Sequence, residues 1–81
     1  MVQLASVRDE TAALREWARL KAAHADLLGG LEANIQRADL GEKGIYFRLR
    51  AGFVADMDAA RSLCAKLKAK NVACLPVRAG G

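Results

Sequence analysis

Ile45-Tyr46-Phe47-Arg48-Leu49-Arg50-Ala51 decides the fold, because its side chains alternate between two kinds of surface. Phe47, Leu49 and Ala51 fall on one side of an extended strand, and Tyr46, Arg48 and Arg50 on the other, since successive Cβ atoms point to opposite faces. One face therefore packs on a core while the other carries a phenol and two guanidinium groups. A sheet built around such a strand is covered on one side only, which is characteristic of antiparallel sheets.

On the N-terminal side, Gly41-Glu42-Lys43-Gly44 reads as a hairpin loop leading back to a more polar strand over Asn34 to Leu40, expected at an edge. On the C-terminal side, Asp56 is placed to cap a helix over residues 56–70. Ala60, Leu63, Cys64 and Leu67 form its inward stripe, and Arg61, Lys66, Lys68 and Lys70 point outward. Asn71 suits a left-handed stop, and Val72 to Arg78 reads as a last strand, placed at an edge because Pro76 has no N–H to give to a ladder.

The chain opens on a short strand, Val2 to Val7. Asp9 then caps one amphipathic helix over residues 9–27, with Ala13, Trp17, Leu20, His24 and Leu27 recurring at helical spacing and Leu14 and Leu28 widening the stripe. Gly29-Gly30 stands where a left-handed C-terminal cap wants glycine. The order is β-α-β-β-α-β, an α+β chain of ferredoxin-like or RNP-like type. Right-handed crossovers give a four-stranded antiparallel sheet in order 4-1-3-2 with both helices on one face.

Eighty-one residues, 53% apolar and 27% charged, make one folded domain with a small core. A net charge of +4 favours an anionic partner, and nucleic acid, anionic lipid and acidic glycan all satisfy it. The 13 basic residues are dispersed, which disfavours a disordered nucleic-acid arm. No apolar run reaches the roughly 18 residues of a membrane span, and the N-terminus lacks a signal-peptide pattern.

Three stretches, evenly spaced, resemble those of one family. Val2-Gln3-Leu4-Ala5-Ser6-Val7 matches an opening VQxGS[FV] strand, Tyr46-Phe47-Arg48-Leu49-Arg50-Ala51-Gly52 matches YRVRVG, and the Cys64 to Cys74 segment leads into Leu75-Pro76-Val77-Arg78. From Val2 to Arg78 the chain resembles the SPOR domain, a small bacterial module that recognises peptidoglycan. It departs at Ala5, where glycine is commoner, and at Gly52-Phe53-Val54, where Gly-Pro-Phe is frequent.

The resemblance implies non-catalytic binding of glycan strands, preferentially those denuded of stem peptides, with no cofactor. It also implies a periplasmic setting at the cell wall or division site. Met1 directly abutting a strand then suggests a single domain, residues 1–81, excised from a larger exported or membrane-anchored protein, and a monomer is expected.

The row Tyr46, Arg48, Arg50 admits two readings: an ordinary solvated face, or a binding row whose guanidinium forks meet carboxylates while the phenol ring stacks on a sugar. Gln3 and Ser6 either sit at the wet ends of their strand or, as the resemblance implies, lie on the glycan side. Arg37, Leu75 and Val77 are further candidates on strands whose phase is less settled. Cys64 and Cys74 share an inward phase, either as free core thiols or, in a periplasmic protein, as a disulfide worth up to about 3 kcal/mol. Two lone cysteines fall short of a metal site.

His24 reads as a core-edge residue and Trp17 as helix packing, while Asp39 and Glu42 are loop carboxylates with no cleft beside them. The alternatives are an RNA-recognition module, faintly echoed by Lys43-Gly44-Ile45-Tyr46-Phe47-Arg48, and a ferredoxin-like protein-interaction domain. Against the first, Tyr46 and Phe47 lie in opposite phases, so one strand face cannot offer two stacking aromatics.

Overall fold

The computed structural model describes residues 1–78. Its strands are β1 (Val2–Val7), β2 (Glu32–Asp39), β3 (Ile45–Gly52) and β4 (Leu75–Pro76). Its helices are α1 (Glu10–Ala23), α2 (Ala25–Leu28) and α3 (Met57–Lys68). The sheet is antiparallel in order β2-β3-β1-β4, the expected order read from the other edge.

Both long helices start where an aspartate can serve the orphan N–H groups of a first turn. Asp9 accepts from the Ala12 N–H at 2.7 Å and Asp56 from the Ala59 N–H at 2.8 Å. α3 ends on a Schellman pair, with the Val72 N–H donating to the Leu67 carbonyl and the Asn71 N–H to that of Lys68, both at 3.0 Å. Asn71 holds the left-handed conformation this closure needs, at φ 64°.

The first helix is not continuous. His24, at φ −130° and ψ 47°, breaks it. Its N–H still reaches the Leu20 carbonyl at 2.9 Å, while its own carbonyl accepts from Leu28 at 2.8 Å and so starts α2. The break re-aims the last turn and seats Leu28 with no exposed surface, whereas Leu14 stays 50% exposed. Gly29 also departs from expectation, since its φ of −61° is right-handed. Its lack of a side chain matters sterically, because a Cβ there would lie 2.5 Å from the Ala25 carbonyl oxygen.

The core lies between sheet and helices, with Val2, Leu28, Leu49 and Leu67 fully enclosed and Ala33 and Ile35 of β2 packed against it. A disulfide joins Cys64 of α3 to Cys74 just before β4, with Cα atoms 5.1 Å apart. β4 is much shorter than the expected Val72 to Arg78. Its ladder holds only Val2 opposite Pro76 and Gln3 opposite Leu75, because Cys74 is tied to α3 on one side and Pro76 has no N–H on the other. Two further bonds prolong the pairing beyond the strand: the Val77 N–H donates to the Met1 carbonyl at 2.9 Å, and the Met1 ammonium donates to the Val77 carbonyl at 3.1 Å.

Candidate binding surface on the open sheet face

β3 carries Tyr46, Arg48 and Arg50 on the face away from the helices, since Leu49 and Ala51 are completely buried in the core between them. β1 lies beside it, and an irregularity there decides which of its residues join the row. Gln3 pairs with Arg50 and Ala5 with Leu49, so that Leu4 is an extra residue in a bulge. Gln3 and Ser6 are three positions apart and would occupy opposite faces of a regular strand. The bulge resets the phase, placing Gln3 opposite Arg50 and Ser6 opposite Arg48 on the same open face.

The row is differentiated. Arg50 is only 6% exposed and donates from Nε to the Gln3 Oε1 at 3.0 Å, so it lies low on the sheet and orients the amide. The expectation of a fully outward Arg50 is thus corrected: it is held within the sheet surface by its neighbours. Arg48 is half-buried between Ser6 on β1 and Gln36 on β2, and no hydrogen bond or ion pair engages its side chain among the described residues. Removing a guanidinium partly from water without a partner is costly, which makes Arg48 the group most in need of an anionic ligand.

Tyr46 is engaged by a residue that the sequence reading left out. The Arg8 guanidinium lies 4.7 Å from the ring centroid, and its Nη1 donates to the phenol oxygen at 3.2 Å. One ring face is therefore already covered by a cation, which leaves less of the ring for a sugar than an isolated tyrosine would offer. The signal was the period of two: Arg8 continues the alternation Ser6, Arg8 past the point where the strand was expected to stop.

Register also settles β2. Asn34 faces Arg50 and Gln36 faces Arg48, so these two amides join the open face, while Arg37 pairs with Phe47 in the phase of Ala33 and Ile35. Arg37 therefore belongs to the helix-bearing side and is separated from the row. The core positions Ala33 and Ile35 were the clue, since alternation from them excludes Arg37 from the open face. On β4, Leu75 pairs with Gln3 and is 55% exposed at the margin of the same face, whereas Val77 lies beyond the strand.

A shallow groove of about 380 Å³ continues this surface over the edge of β1, lined by Gln3, Ala5, Ser6, Lys68, Ala73 and Leu75 among others. Along the row itself, neutral amide and hydroxyl groups alternate with guanidinium groups. Such a surface can hydrogen-bond a hydroxylated, anionic polymer laid flat across the sheet.

Fold and face together define a small module of the β-α-β-β-α-β type with an open sheet face that carries arginines. The SPOR domain profile matches residues 1–78, and the chain belongs to the SPOR domain family. SPOR domains are binding domains that recognise peptidoglycan and occur in periplasmic or cell-wall-facing proteins. No curated protein and no solved structure matches the chain. Among the described residues, no helix is long and apolar enough to cross a membrane.

Proposed function

We propose that the open face binds peptidoglycan glycan strands from which the stem peptides have been removed, and that it does so without catalysing a reaction. The half-buried, unengaged Arg48 guanidinium carries this reading. Denuding a strand frees the lactyl carboxylate of each N-acetylmuramic acid, and a carboxylate is the partner that a guanidinium flanked by Ser6 and Gln36 best accepts. A strand that still bears its peptides offers an amide at that position, without the charge. Gln3, Ser6, Asn34 and Gln36 then serve sugar hydroxyls and acetamido groups, Arg50 holds Gln3 in place, and Leu75 packs on an apolar sugar edge. Arg37 is left out by its position on the other side of the sheet.

In this reading the domain acts as a monomer in the periplasm, as one part of a larger exported or anchored protein that it brings to the wall or to a division site. The test is co-sedimentation with purified sacculi, before and after amidase treatment, beside an RNA gel shift. Greater retention after amidase treatment, lost in Arg48→Ala, is the expected result. Equal retention of Arg48→Ala, or binding to RNA alone, would overturn it.

A further inference from the structure

β1 has a free margin on its outer side. Its pairing with β4 stops at Gln3, so from Ala5 to Val7 the strand has β3 on one side and no strand on the other among the described residues. In an antiparallel ladder, backbone N–H and C=O groups point alternately to the two sides, so those of this stretch that do not point to β3 face the groove beside it. The groove walls combine this unpaired backbone with the apolar surfaces of Ala5, Ala73 and Leu75 and with Lys68, from the last turn of α3. Lys68 is exposed and forms no ion pair among the described residues.

A free strand edge is ordinarily a place for another strand to add. This one is three residues long and begins at a bulge, which is too short and too irregular for an extended peptide to follow. It is long enough for a single amide. An acetamido group is chemically a peptide unit, with one N–H and one C=O, and its methyl can rest on the apolar surfaces of Ala5 and Leu75 in the groove wall. The nearby ammonium of Lys68 selects an acid on the same ligand residue.

We propose that the groove between the free edge of β1 and Lys68 is a subsite for an N-acyl sugar acid. The edge backbone pairs with the acyl amide, the small apolar side chains take its methyl group, and Lys68 meets the carboxylate. The inference rests on the proposed glycan reading of the adjoining face, because Gln3, Ser6 and Leu75 line both. It adds a specificity element, Lys68, on the helix that precedes β4. The carboxylate reader at this subsite is then separate from Arg48, which lies one strand further in on β3.

The test is NMR titration of the intact domain with N-acetylmuramic acid and, separately, with N-acetylglucosamine, which has the same acetamido group without the acid. N-acetylmuramic acid should shift the amide resonances of Ala5, Ser6 and Ala73 and bind at least about tenfold more tightly than its neutral counterpart. Lys68→Ala should abolish that preference while leaving N-acetylglucosamine shifts at Ala5 and Ser6, and Lys68→Arg should restore it. Lys68→Ala should still sediment with denuded sacculi, whereas Arg48→Ala should not, which separates failure of the subsite from failure of the glycan reading. An unchanged preference in Lys68→Ala, or shifts confined to β2 and β3, would overturn the subsite. So would stronger shifts of the β1 edge by a free stem peptide than by either sugar, since that would assign the edge to strand addition.

Discussion

Reducing the bond between Cys64 and Cys74 should destabilise this domain far more than its size suggests. The two cysteines are ten residues apart in sequence. Closing a loop of that length restricts the unfolded chain by about 3 kcal/mol at 25 °C in the chain-entropy treatment. A domain of this length has a total stability of only roughly 4–12 kcal/mol at about 0.05–0.15 kcal/mol per residue, so the bond accounts for a large share of it. For a domain of this size 1 kcal/mol moves the melting midpoint by about 4–8 °C, and the loss should lower it by roughly 12–24 °C.

Reduction is a cleaner perturbation than mutation. Both cysteines are at least 94% buried, and replacing them with alanine would add a cavity cost to the entropy effect. Thermal unfolding followed by circular dichroism, in the same buffer with and without a phosphine reductant, measures the difference directly. Free-thiol titration of the unfolded chain establishes that the bond was intact at the start. A shift below about 3 °C between verified oxidised and reduced samples would refute the reasoning, because the loop-entropy model requires several times that much.

Three further outcomes are expected. Gln3→Ala removes the acceptor of the Arg50 Nε bond, 3.0 Å long, and should cost about 1 kcal/mol in urea denaturation as well as weakening glycan binding, whereas Arg48→Ala should weaken binding alone. Asn71→Val forces a β-branched residue into φ 64° and should lose about 1–2 kcal/mol, while Asn71→Gly should melt close to the parent. The hydrogen bond from Lys70 Nζ, at 3.2 Å, holds the Asp26 carboxyl below its ordinary pKa. A depressed folded pKa contributes stability above the unfolded value and loses it as the pH falls through the folded one. Carboxyl-detected NMR titration should therefore find Asp26 ionised to lower pH than free aspartate, and Lys70→Ala should bring it back toward the ordinary range.

The sheet order and the grouping of Tyr46, Arg48 and Arg50 on the open face were legible because period-two alternation is strong where one side is buried. Tyr46 to Ala51 assigned β3 unaided, and the aspartate caps fixed the helix starts. The features that escaped the sequence are set by packing between elements. His24 breaks a pattern whose helical spacing continues on both sides, and it does so because Leu28 then reaches the core. Arg37 has a neutral signal by itself, and only the register with Phe47 excludes it. Arg50 looks like Arg48 in the sequence, yet its neighbour on β1 is an amide that receives its Nε, and it is almost fully buried where Arg48 is half-buried.

The bulge at Leu4 makes β1 unusual in what it tolerates. Substitutions along the strand act one side chain at a time, but a change in residue number acts on the whole strand. Deleting Ala5 would restore a regular ladder in which Gln3 and Ser6 stand two positions apart and share a face without help, at the expense of one apolar residue under the helices. Deleting Leu4, the bulged residue itself, would have the same effect on register, whereas deleting Gln3 or Ser6 would leave the bulge in place and shift side chains beyond it to the wrong side. The make-up of the open face therefore depends on a residue count as well as on residue types. Libraries of single-residue deletions across residues 2–7 would show that dependence as a register-preserving pair of positions, Leu4 and Ala5, in an otherwise intolerant strand.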